Sequence, residues 1–247
     1  MTQWLQGRVA ERVDWTPDLC SLKVEAAIAP FRAGQFVKLG LASGDDTVGR
    51  PYSLVNAPQE ALLEFYFSIV PEGPLSPRLA HLAVGDTLLV MPQASGFLVL
   101  DEVPPASQLW LISTGTGIGP FLSMLKTAEP WQRFQRVVLV HAVRQAAELS
   151  YRHTIAALAD EHRQKFSYVP FVSREQADFA LAGRIPEAIK DGRLEQRVNL
   201  PIDAKQSHVM LCGNPGMVAD VTALLKARGL AKHRRREPGQ ISAETYW

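Results

Sequence analysis

Over roughly its first 100 residues the chain alternates apolar and polar positions in short runs; beyond them it changes to solid apolar runs separated by amphipathic stretches. Alternation of period two marks half-buried strands, which are read at 6–13, 19–25, 36–41, 52–56, 63–70 and 86–91. Gly34, Gly44, Asp45, Asp46, Gly49, Pro58, Gly73 and Gly85 punctuate them. Even spacing with such turn signals predicts a small antiparallel β-barrel. One helical turn interrupts it at 75–82, where Ser76 suits the N-cap and Pro77 the first helical position, so that free backbone N–H groups are presented there.

A Pro-containing connection at 101–108 leads into the second pattern. Strands are read at 109–113, 137–142, 167–172 and 208–212, with helices near 120–127, 152–164, 184–191 and 216–228. Strand and helix in alternation predict a parallel sheet covered by helices. The fold class is therefore two-domain: an antiparallel barrel over 1–100, then an α/β parallel-sheet domain over 101–247.

Composition narrows what this fold is used for. Lys and Arg total 26 against 25 Asp and Glu, a balance that argues against a broad nucleic-acid surface and leaves only local basic patches. The basic run from Lys232 through His233, Arg234 and Arg235 to Arg236 is one such patch; a solvated surface is its commonest meaning. Two cysteines, Cys20 and Cys212, lie far apart in no metal-binding spacing, so no metal site is expected and a reducing cytosol is. The first residues lack an apolar signal core and the apolar runs are short, so a soluble cytoplasmic protein with no membrane role is expected.

The strand at 109–113 runs into Thr114-Gly115-Thr116-Gly117-Ile118-Gly119-Pro120. Glycines let backbone approach a phosphate, and a helix N-terminus offers unpaired N–H groups. The usual dinucleotide fingerprint has its third glycine one place later and an acidic residue after the second strand. Here Pro120 takes the glycine's place, and the second strand ends at His141-Ala142-Val143-Arg144, with an arginine where the acid belongs. Ser173 and Arg174 end the third strand and Arg184 opens a helix, which gathers arginines near the carboxyl edge of the sheet. Arginines without a matching acid suit a phosphate monoester, as on NADP, more than a bare ribose diol. At the same edge Cys212-Gly213-Asn214-Pro215-Gly216 forms a second glycine turn, where Cys212 could meet a bound ring or be a small core residue.

In the first half, Arg50-Pro51-Tyr52-Ser53 puts a cation, an aromatic plate and a hydroxyl on one extended run. Arg50 and Tyr52 share one face and Pro51 and Ser53 the other. The guanidinium can grip a pyrophosphate and the phenol can lie on a heterocycle. The chain closes with Glu244-Thr245-Tyr246-Trp247, whose two aromatics imply packing on something.

Taken in order and spacing, these four motifs resemble the ferredoxin/flavodoxin-NADP⁺ reductases, specifically the bacterial subclass, over nearly the whole chain. The resemblance implies a barrel that holds FAD, a second domain that holds NADP(H), and a C-terminal tail that returns to the flavin. It implies that Arg50, Pro51, Tyr52, Ser53, Phe67, Ser68, Ile69, Leu75, Ser76, Thr116, Tyr246 and Trp247 contact FAD. It places Thr116 between the cofactors, and it implies that Val143, Arg144, Ser173, Arg174, Arg184, Cys212, Gly213, Asn214, Pro215 and Gly216 contact NADP(H). Ser53, Cys212, Glu244 and Tyr246 are then the candidate catalytic residues, Glu244 and Tyr246 through proton handling and flavin stacking. The implied activity is electron transfer between NADPH, as a hydride to flavin N5, and ferredoxin or flavodoxin, in single-electron steps. The protein is expected to act as a monomer, with the run at 232–236 as docking patch for an acidic carrier. Rival readings are an oxygenase-reductase component or free-flavin reductase on the same two domains, and a non-catalytic nucleotide-binding module.

Overall fold

The computed structural model describes residues 4–44 and 46–245. The chain separates into two compact units, Met1–Val99 with Gly119–Thr127, and Leu100–Ile118 with Ala128–Trp247.

The first unit is built from β1 (Leu5–Thr16), β2 (Leu19–Glu25), β3 (Phe36–Ser43), β4 (Asp46–Ser53), β5 (Leu63–Ser68) and β6 (Thr87–Val90), with the short helix α1 (Ser76–Leu79). The strands pair antiparallel in the order β4-β3-β6-β1-β2-β5. A bridge between Leu54 and Phe65 carries the chain beyond β4 onto β5 and closes the barrel. Val9, Leu22, Val37, Leu39 and Phe65 fill its core, the inward set that period-two patterning selects, together with Leu79 of α1.

Strand β4 differs from the predicted strand over 52–56. It starts at Asp46, stops at Ser53, and runs straight through Gly49, which the sequence marks as a turn. Gly49 pairs with Gly40 across the hairpin. A Cβ at either would come within 3.1 Å of the Trp4 indole, so these glycines make room for a ring laid across the strands. Pro51 is tolerated because β4 is an edge strand and needs no ladder donor there. The expected Ser76 cap is also corrected. Leu75 occupies the N-cap position, and the Ser76 hydroxyl accepts from the Val70 N–H at 3.0 Å.

Helix α2 (Gly119–Leu125) follows the glycine turn in sequence yet groups with the first unit, whereas the predicted boundary put it in the second. Its hydrogen bonds explain this. Ser123 Oγ donates to the Asn56 carbonyl at 2.6 Å, and Gln59 Nε2 to the Lys126 carbonyl at 3.1 Å. Lys126 itself pairs with Glu60 and Glu64.

The second unit is a six-stranded sheet of β7 (Gln108–Thr114), β8 (Arg136–Val143), β9 (Phe166–Val172), β10 (Leu181–Ala182), β11 (Ser207–Gly213) and β12 (Ile241–Thr245). The order is β10-β9-β8-β7-β11-β12, and each neighbouring pair is parallel. Helices α3 (Glu129–Arg133), α4 (Arg152–Glu161), α5 (Ile185–Lys190), α6 (Arg193–Val198) and α7 (Pro215–Ala227) connect them. Trp110, Ile112, Val140, Phe171, Leu211 and Val221 are wholly or almost wholly buried in its core. Short β10, β12, α3 and α6 are additional to the sequence reading; each has five residues or fewer, or six in α6, too few to display a period. Among the described residues no helix is long and apolar enough to cross a membrane.

Candidate active site

The strand order reverses at β7, which sends the chain to β8 on one side and receives β11 on the other. Open parallel sheets bind ligands at the carboxyl ends beside such a reversal. Here the turns after β7 and β11 interlock. Residues Gly115–Ile118 form one 3₁₀ turn, with Gly115 at φ +53°. A Cβ on Gly117 would lie 2.5 Å from the Cys212 carbonyl oxygen, and one on Gly213, at φ +132°, 2.2 Å from Thr114 Oγ1. Only glycine permits both approaches. The Asn214 N–H donates to Thr114 Oγ1 at 2.8 Å, and the Asn214 side chain caps α7 by accepting from the N–H groups of Gly216 and Met217. Pro215 opens that helix. Thr116 is largely buried and Cys212 fully so, in a thiol with no disulfide.

The other half of this edge is arginine-rich by register. Val143 on β8 lies opposite Val172 on β9, and Val172 lies opposite Ala182 on β10. Arg144, Arg174 and Arg184 therefore leave three adjacent strand ends within one or two residues of a common level. The Arg174 N–H donates to the Arg144 carbonyl at 2.9 Å, and both the N–H and the hydroxyl of Ser173 donate to the Val143 carbonyl, at 3.1 and 3.2 Å. All three arginines are exposed, and among the described residues none enters an ion pair.

Two acids do stand in these loops, which the sequence reading passed over. Glu148 accepts from the N–H groups of Arg144 and Gln145 at 2.7 and 3.1 Å, and Glu175 from that of Ala146. Both carboxylates are engaged by backbone and leave the guanidinium groups open to another anion.

Glu244 lies on β12 directly beside Cys212 of β11. Burial pushes its carboxyl up to about 7, because low dielectric disfavours the charged form. Tyr246 and Trp247 lie outside the described residues.

In the first unit, Arg50, Pro51, Tyr52 and Ser53 all lie on β4, and burial rises along the run from exposed Arg50 and Pro51 to buried Ser53 instead of alternating. Arg50 is exposed, donates to the Gly49 carbonyl at 2.8 Å, and makes no ion pair among the described residues. The Tyr52 ring meets Phe67 edge-on, centroids 5.6 Å apart, and its burial pushes the phenol up to about 12. Ser53 and Phe67 are buried, Ser68 and Ile69 half-buried, and Leu75 and Ser76 buried at the start of α1. A cation free of acid partners beside a neutral phenol fits a flat, phosphate-bearing ligand.

Sequence reasoning missed His141. It sits in β8 with no solvent exposure, and its Nε2 is 3.0 Å from the Gly115 carbonyl. The one signal was a polar residue inside the apolar run of residues 137–143.

Comparisons with known proteins place the chain in a family. The family described as the oxidoreductase NAD-binding domain matches residues 111–223, which begins in β7 and ends in α7. The chain is 49% identical to flavodoxin/ferredoxin–NADP reductases of Shigella flexneri and of Escherichia coli (strain K12), over all of this chain and all of each relative. A crystal structure of a ferredoxin NADP⁺ reductase from Neisseria gonorrhoeae with bound FAD and NADP superposes with a TM-score of 0.94 at 35% identity, covering 99% of both chains. With relatives this similar along its whole length, the chain belongs to the flavodoxin/ferredoxin–NADP reductase family.

Proposed function

We propose that this protein is an FAD-dependent oxidoreductase that moves electrons between NADPH and a ferredoxin or flavodoxin, with the first unit holding FAD and the second NADP(H). The observation that carries the reading is the row of Arg144, Arg174 and Arg184, without ion pairs among the described residues, beside the interlocked glycine turns. When bound, FAD supplies the conversion of a two-electron to two one-electron transfers, which no side chain can perform.

The protein's own part is to bind and orient. Arg50 is assigned to the FAD pyrophosphate, Tyr52 to stacking on the isoalloxazine, and Ser53 to a hydrogen bond at flavin N5. Phe67, Ser68, Ile69, Leu75 and Ser76 line the rest. Arg174, Arg184 and Ser173 are assigned to the 2′-phosphate end of NADP(H), Arg144 and Val143 to its adenosine, and Thr116 with residues 212–216 to the nicotinamide side. Buried Cys212 then acts by packing. Glu244, held near neutral pH by burial, is suited to exchange a proton at the nicotinamide side. Lys232 and Arg236, exposed and without acid partners among the described residues, are assigned to docking an acidic carrier by a monomeric enzyme. Family membership favours this reading over an oxygenase component or a non-catalytic nucleotide module.

The purified protein is expected to be yellow, to release its chromophore on denaturation, and to reduce ferredoxin or flavodoxin with NADPH. A colourless protein overturns the flavin assignment, and equal turnover with NADH overturns the 2′-phosphate assignment. Ser53→Ala is expected to slow flavin reduction in stopped flow by roughly tenfold, the value of one hydrogen bond.

A further inference from the structure

The Thr114–Ile118 turn needs something to hold its Gly115–Thr116 peptide still. Gly115 at φ +53° carries no Cβ penalty, but the same freedom lets the peptide on its carboxyl side flip. Its neighbours are already fixed. Ser113 Oγ donates to the Val140 carbonyl at 2.9 Å, and Thr114 Oγ1 accepts from the Asn214 N–H at 2.8 Å. The Gly115 carbonyl is held by His141 Nε2 at 3.0 Å, reached from the middle of the sheet by a side chain with no exposure.

A carbonyl can only accept, so the Nε2 of His141 carries the proton. Burial keeps the ring neutral, lowering it to about 4, and the bare Nδ1 has no partner among the described residues. The ring's one hydrogen bond is therefore to the turn. All peptides among the described residues are trans, and a trans peptide points its carbonyl and its N–H in opposite directions. Holding the Gly115 carbonyl towards the core thus aims the Thr116 N–H away from it, and as a first-turn donor that N–H has no acceptor within its helix.

We propose that His141 is a positioning residue for the nicotinamide nucleotide, acting through the Gly115–Thr116 peptide to present Thr116 to the ligand. This rests on the reading above that the turn receives NADP(H). The length of the side chain provides the test, since Gln places its amide nitrogen near the position of Nε2 and Asn falls short. NADP⁺ and 2′,5′-ADP, which lacks the nicotinamide, are titrated into the FAD-loaded His141→Gln and His141→Asn proteins, with dissociation constants read from the flavin difference spectrum and from calorimetry. His141→Asn is expected to weaken NADP⁺ about tenfold, the value of one hydrogen bond, and 2′,5′-ADP less than twofold. His141→Gln is expected to restore NADP⁺ binding to within about twofold of the parent protein. Equal behaviour of the Gln and Asn proteins, or equal weakening of both ligands, overturns the proposal. A parent protein that binds 2′,5′-ADP but not NADP⁺ overturns the underlying assignment of the turn and this inference with it.

Discussion

Two groups of charge in the second unit contrast in how the fold uses them. At the carboxyl edge of the sheet, Arg144, Arg174 and Arg184 stand exposed without ion pairs among the described residues, and Glu244 is half-buried, with desolvation raising its carboxyl. In the run 232–236, Arg234 pairs with Glu237 at 3.2 Å, and Arg235 pairs with Glu102 at 2.8 Å. By sequence the run is the louder signal, five basic residues in succession. Yet all three scattered arginines lack ion pairs among the described residues, because the nearby Glu148 and Glu175 take backbone N–H groups instead, whereas two members of the run are paired. Partnering, rather than local density, separates charges available for binding from those committed to the fold.

The largest expected effect follows from removing the free cations. Arg174→Ala with Arg184→Ala deletes two charge-assisted contacts to the 2′-phosphate, and the KM for NADPH is expected to rise about 100-fold. The KM for NADH, which has no such phosphate, should move less than about twofold. A parallel fall with both nucleotides would show that the pair merely supports the loops, and the comparison would lose its first half.

Glu244 comes next. Its ordinary value is 4.5 and its folded value about 7. Between these the unfolded chain has released the proton that the folded one keeps. The stability of the neutral form is thus complete below pH 4.5 and lost as pH rises through about 7. Glu244→Gln cannot ionise. After allowing for partial exposure it should be more stable than the parent by roughly 1–2 kcal/mol near pH 8.5 and equal to it near pH 4.5 by thermal unfolding. The pH dependence of flavin reduction should lose its break at about 7 in the same variant. A thermal difference independent of pH would mean that Glu244 is ionised throughout.

These expectations begin from residues that sequence made visible, and the contrast shows why. Pattern reports what is periodic or locally unusual: the change from strand period to strand-helix alternation, the early third glycine at 119, the arginine at 144 where an acid belongs. Gly49 looked like a turn because nothing local shows that Trp4 will lie across it. The bond from His141 to Gly115 spans 26 residues, and the pairing of Arg235 with Glu102 spans 133. Only register brings such partners together, so commitment of a charge is the property that sequence hides best.

Within the run 232–236 the same rule makes a finer division. Lys232 and Arg236 have no acid partner among the described residues. Reversing both to Glu should weaken an acidic carrier by about tenfold at low salt, with the difference shrinking towards that of the parent as ionic strength rises.

Arg235 supplies the smallest effect and the sharpest test. Its guanidinium is bidentate on Glu102, with Nε and Nη2 at 3.1 and 2.8 Å from the same oxygen, Oε1, and Nε at 3.3 Å from Oε2. An arginine so engaged has much of its field spent within the fold, so it adds little to the attraction of a distant carrier. Its side chain is well exposed, so its loss should also leave the fold almost unchanged. Arg235→Ala is expected to alter carrier affinity less than about twofold, measured at low salt beside the reversal of Lys232 and Arg236. The Glu102→Gln protein turns the argument round. It removes the charge of one partner of Arg235 without removing Arg235, and carrier binding should then tighten slightly, with a steeper dependence on salt. Were Arg235→Ala to weaken the carrier as much as the reversal of its neighbours, density of charge would govern that surface after all.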